Sequence, residues 1–135
     1  MKLALKKSLT RWVKVGKENE EFYIDYPSIE QEQELQSIKF SEKFTGIDKG
    51  LRFSQQFLKY IIKDWKGIKD EEGNEIKCKL IDNELDTELW WALVGDANMS
   101  MELFAICWKE LEFTDNDKKK LSSQDSSSEK ANSQG

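Results

Sequence analysis

The chain has no His, and only two cysteines, Cys78 and Cys107. It therefore lacks the usual general base and the commonest neutral metal ligand. Two isolated cysteines do not make a zinc site, which generally takes about four ligands in paired spacing. The glycines are scattered, and no Gly-Lys-Ser/Thr closes a phosphate-binding loop. Carboxylates are abundant, but no spacing marks out an acid pair. Asp70-Glu71-Glu72-Gly73 hints at a calcium loop, yet the EF-hand spacing is missing and a solvated turn is the stronger reading. The expectation is a protein without catalysis, cofactor or metal.

What remains to do chemistry is aromatic surface. Trp90 and Trp91 are adjacent, so on a helix they point about 100° apart and cannot share a narrow stripe. One can be core while the other lies at a rim, where Trp is enriched as a binding residue. The run Leu89-Trp90-Trp91-Ala92-Leu93, with Phe104 and Trp108, is more apolar surface than one small core needs. Trp90, Trp91, Phe104 and Trp108 are the candidate partner-binding residues. The competing reading is a wide buried face, and the same question applies to Trp12.

The elements that position these residues are organised around Asp64 to Ile76. An apolar, helix-period segment (Phe53, Phe57, Leu58, Ile61, Ile62, Trp65) leads into Trp65-Lys66-Gly67-Ile68. This suits a helix from about Asp48 or Leu51 to Asp64, stopped at Gly67. Trp65 is expected in the core. Asp70-Glu71-Glu72-Gly73-Asn74 then supplies a tight turn, with Gly73 at a positive φ. Trp65, Gly67 and Gly73 are the structural residues of this unit, read as helix, stop, short hairpin, helix.

Upstream, Arg11 to Val15 and Glu21 to Tyr26 alternate like two strands joined by the polar loop from Gly16 to Glu20. Residues 1–10 stay unassigned. Pro27-Ser28 opens a helix with Ser28 and Gln31 placed for a capping box and a thin apolar edge of Ile29, Leu35 and Ile38. Phe44 and Ile47 anchor the bend that follows. Downstream, Asp82 or Asn83 is placed to cap a helix ending at Gly95-Asp96, and Asn98 or Ser100 to start another. Residues 115–135 are polar and Ser-rich, and are expected to be a disordered tail on a single domain spanning 1–114. The fold class expected is α+β: an N-terminal hairpin from Arg11 to Tyr26, then a small helical bundle of four helices with a short central hairpin.

At 38% hydrophobic and 35% charged, burial must lean on five Trp and seven Phe. The net charge of −5, with signs mixed along the chain, argues against nucleic-acid binding, and the clusters Lys6-Lys7 and Lys118-Lys119-Lys120 are too short to change that. No apolar run approaches the roughly 20 residues of a membrane span, and the first residues lack a secretory core. A reduced, intracellular protein is expected, with Cys107 a buried hydrophobe. A Cys78–Cys107 disulfide is the alternative.

The stretch Asp64-Trp65-Lys66-Gly67-Ile68-Lys69-Asp70-Glu71-Glu72-Gly73-Asn74-Glu75-Ile76 resembles a pattern in small proteins of tailed bacteriophages and prophages, including tail assembly chaperones. Phe22-Tyr23-Ile24-Asp25-Tyr26-Pro27-Ser28 before a Glu/Gln-rich helix also fits, whereas Lys77-Cys78-Lys79 stands where a small or Pro-containing link is usual. The resemblance implies a chaperone in the host cytoplasm that coats the amphipathic helical tape-measure protein during tail assembly. Self-association is expected alongside that role. Two alternatives stand beside it: an acidic inhibitor of a basic host protein, and a minor structural or connector component of the virion.

Overall fold

The computed structural model describes residues 1–3 and 11–122, with side chains as far as Leu111. Lys6-Lys7, the unassigned segment 4–10 and residues 123–135 of the polar tail lie outside the described residues. The fold is α+β, as the alternating and helix-period segments imply.

The two alternating segments form β1 (Arg11–Lys14) and β2 (Glu21–Ile24), paired antiparallel with Val13 opposite Phe22 and Trp12 opposite Tyr23. Pleating sends Val13 and Phe22 into the core, while Trp12 and Tyr23 meet on the other face with ring centroids 5.1 Å apart. Ser28 and Gln31 complete the capping box at the start of α1 (Ile29–Lys39). Only Gln31 and Leu35 of that helix are buried, and Ile29 stands exposed, so its apolar edge is thinner still than its sequence suggests. At the bend, Phe44 lies half-buried under the Arg52 guanidinium, 4.2 Å from its ring, but Ile47 is exposed and anchors nothing.

The apolar helix-period segment is the main correction. Helix α2 (Gly46–Ile61) stops at Ile61, and residues expected as its last turn form β3 (Ile62–Lys66), the third strand of a sheet ordered β1-β2-β3. Phe22 pairs with Trp65, Tyr23 with Asp64, and Ile24 with Ile62, so one step along β2 spans two along β3. Lys63 is the extra residue of that bulge. A bulge brings two residues three apart onto the same side of a strand. Ile62 and Trp65 are both buried this way, at a spacing that in sequence reads as helix.

Beyond β3 the chain turns at Gly67, φ +81°, and doubles back through the acidic turn. Ile76 N–H donates to the Ile68 carbonyl (2.8 Å), Lys69 and Glu75 pair through their backbones as one antiparallel bridge, and the Asp70 carboxylate accepts from Glu72 N–H and Asn74 N–H (3.0 and 2.8 Å). The central hairpin is therefore present in its shortest form, with Gly73 at φ +87°.

Asp82 and Asn83 do not cap a helix. Both adopt positive φ (52° and 65°) between β4 (Leu80–Ile81) and β5 (Glu84–Leu85), the backbone that a two-residue hairpin turn needs and that Asp and Asn tolerate. The Lys63 ammonium at the bulge ties the turn down through the Asn83 carbonyl and side chain (3.0 and 3.1 Å). Asp86 caps α3 (Thr87–Val94) instead, accepting from Glu88 and Leu89 N–H. Asp96, in turn, accepts from Asn98 and Met99 N–H at the start of α4 (Ala97–Ser122). Helices α3 and α4 are thus each started by an Asp other than the residues the sequence suggests. The α4 backbone also runs past Asp115 to Ser122, into the stretch that composition reads as tail.

Helix α2 contacts α1, α3, α4, β3 and β5. Its Phe57, Leu58 and Ile61 belong to one buried cluster with Phe22, Ile24, Ile62 and Trp65 of the sheet and Leu103, Cys107 and Leu111 of α4.

Candidate binding groove

Trp65 is 6% exposed, and its indole N–H donates to the Ile76 carbonyl at 2.7 Å. That bond, with the Phe22 ring 6.2 Å away, holds the outgoing arm of the acidic turn against the sheet. The arm and the sheet form one wall of a groove of about 500 Å³ whose other wall is the α3–α4 corner. Leu89, Ala92 and Leu93 line it from α3, and Met99 and Leu103 from α4. Phe22, Trp65, Ile68 and Ile76 line the opposite side. The polar groups along the groove are Glu20, Lys69, Asp96, Asn98 and Glu102, of which all but Glu20 are exposed.

The four aromatics expected to bind a partner do not come together. Trp90 turns inward: its indole N–H donates to the Gln55 carbonyl (2.7 Å), and the Lys59 ammonium lies 4.8 Å from its ring. Trp91 is 57% exposed, on the side of α3 roughly opposite Leu89, Ala92 and Leu93. Phe104 and Trp108 stack on each other (5.5 Å) and meet Phe57 at 5.3 and 5.4 Å, closing the seam between α2 and α4 on the flank of α4 away from the groove. Phe104 and Trp108 thus pack in that seam, and Trp108 keeps 41% of its surface exposed. Trp12 is partly exposed too, under the Lys66 ammonium 4.2 Å from its ring.

The split between the paired tryptophans predicts opposite outcomes. Trp90→Ala leaves a void and removes the indole bond to the Gln55 carbonyl, which keeps its bond within α2, and should cost about 2–3 kcal/mol by urea denaturation. Trp91→Ala should change stability by less than about 0.5 kcal/mol.

Neither cysteine is in a disulfide. Burial, with Asp64 nearby, pushes the Cys78 thiol up to about 11; burial, with Glu110 nearby, pushes Cys107 up to about 12. Both stay protonated and poorly nucleophilic near neutral pH. Among the described residues there is no group of His, Cys, Asp or Glu that could hold a metal ion, and no helix long and apolar enough to cross a membrane.

The sequence marked Trp65, Gly67 and Gly73 but not the groove they help to build. Leu89, Ala92 and Leu93 do carry a helical stripe, and Ile68 and Ile76 flank the acidic turn symmetrically. Their convergence depends on the bulged β3, which the sequence hides. No protein-family model matches the chain, and no curated protein or solved structure matches it.

Proposed function

We propose that this protein is a non-catalytic assembly chaperone of the tailed-bacteriophage kind, acting in the host cytoplasm by holding an amphipathic helical tape-measure protein while the tail is built. One observation carries the reading. The stretch on which the resemblance rests, Asp64 to Ile76, contributes Trp65, Ile68, Lys69 and Ile76 to the lining of an open apolar groove. A pattern that reads in sequence as a turn thus supplies a surface. Apolar grooves with polar rims are how soluble proteins take up amphipathic helices.

The test is co-expression with a tape-measure fragment that aggregates alone. The expected result is a soluble complex, with the chaperone missing by mass spectrometry from finished particles. A fragment that aggregates equally with and without this protein would sink the reading, and its presence in particles would favour a connector role. The net charge of −5 supports a second reading, an acidic inhibitor of a basic host protein. That reading requires binding to a folded host factor that collapses with added salt.

A further inference from the structure

We propose that the groove between Trp65, the Ile68–Ile76 turn and the α3–α4 corner takes a single amphipathic helix whose apolar stripe is flanked by Lys or Arg. This rests on the protein-binding reading above and gives that partner its chemistry.

Three features select the occupant. The floor is apolar, formed by side chains such as Phe22, Trp65 and Leu103, and the charged groups stand along the edges. A small-molecule site would instead place polar groups inside, where they fix orientation. Next, the groove walls are made of side chains on elements that already carry backbone bonds of their own. Ile76 N–H is bonded to the Ile68 carbonyl across the turn, β3 is paired to β2, and α3 and α4 are helices. A helix satisfies its own backbone and needs only side-chain contact, which is what this apolar floor offers. Finally, the edges carry Glu20, Asp96 and Glu102 against Lys69 alone. An acidic rim selects basic flanks and repels acidic ones. It also disfavours a second copy docking through α1, whose exposed face carries Glu30 and Glu34.

The experiment uses the full chain and two synthetic helical peptides with the same Leu/Ala stripe, one flanked by Lys and the other by Glu, titrated by fluorescence anisotropy. The Lys-flanked peptide should bind at least roughly tenfold more tightly, and raising salt from about 0.05 to about 0.5 M should narrow the gap. Glu102→Lys should narrow or invert the preference. The double variant Ala92→Gln, Met99→Gln replaces two exposed lining residues, Met99 by a helix former close to it in size. It should stay folded by circular dichroism and weaken both peptides by roughly tenfold. Trp91→Ala should change neither.

Equal binding of the two peptides, or binding untouched by the double variant, would overturn the assignment. So would self-association that the double variant abolishes while neither peptide binds, since the groove would then belong to a second copy. The two readings fail separately. Peptide preference intact with no protection of a tape-measure fragment removes the tail-assembly role and leaves the groove. Protection that survives the double variant removes the groove and leaves the role.

Discussion

Trp65→Ala is expected to destabilise the protein by about 4–5 kcal/mol, at the upper end for deleting a buried aromatic. Two losses combine. The indole is 6% exposed near the end of β3, paired with Phe22, and its removal leaves a cavity under the sheet. The Ile76 carbonyl also loses its donor, and an acceptor left without a partner costs about 1–3 kcal/mol where water cannot reach it. Trp65→Phe helps to separate the two, because it removes the N–H together with a few ring atoms while keeping most of the apolar body. It should cost about 1–2 kcal/mol, with the remainder appearing only in the alanine variant. Urea denaturation of the three proteins measures this directly. Hydrogen exchange supplies a second readout: Ile76 N–H, bonded to the Ile68 carbonyl, should lose protection in both variants, because the indole is what pins that arm to the sheet. An alanine variant as stable as the parent would mean that Trp65 is not part of the core.

The features legible in the sequence are those whose physics is local. Ser28 and Gln31 cap α1 through groups three residues apart, so the box could be read before any tertiary contact was known. The β1–β2 hairpin declared itself by alternation, and the left-handed conformations at Gly67 and Gly73 by residue type. The α+β class follows from these.

What the sequence concealed depends on partners far along the chain. Ile62 and Trp65 became strand because β2 was available to pair with them, and the bulge at Lys63 reproduced a helical spacing inside an extended segment. Asp82 and Asn83 are as good helix caps as Asp86 by composition. What distinguishes them is that β4 and β5 close on each other, which places both residues at positive φ. The adjacency of Trp90 and Trp91 established that they diverge, but which one faces α2 depends on where α3 lies. The groove draws on β2, β3, the acidic turn, α3 and α4, so no single window of sequence contains it.

Gly67→Val should cost about 3–5 kcal/mol, and the reason lies as much in the β1–β2 loop as in the glycine. Two penalties are in play. At φ +81° any L-residue is strained, by about 1–2 kcal/mol and more for a β-branched one. In addition, a Cβ at this position would stand 2.1 Å from the carbonyl oxygen of Asn19 and 2.7 Å from its carbonyl carbon. These are backbone atoms of the loop between β1 and β2, which is held by Val15 N–H donating to the Glu20 carbonyl at 2.9 Å. The loop cannot yield as a flexible side chain would. It must move as a unit, and the Glu20 edge of the groove must move with it. Gly73 separates the two penalties, because it sits at φ +87° and a Cβ there would meet nothing within 4 Å. Gly73→Ala should therefore show the conformational cost alone, about 1–2 kcal/mol, while Gly67→Ala, bearing the same single carbon, should cost clearly more. Urea denaturation of the two alanine variants makes the comparison. Equal losses would mean that the loop gives way freely and that Gly67 is required only for its φ.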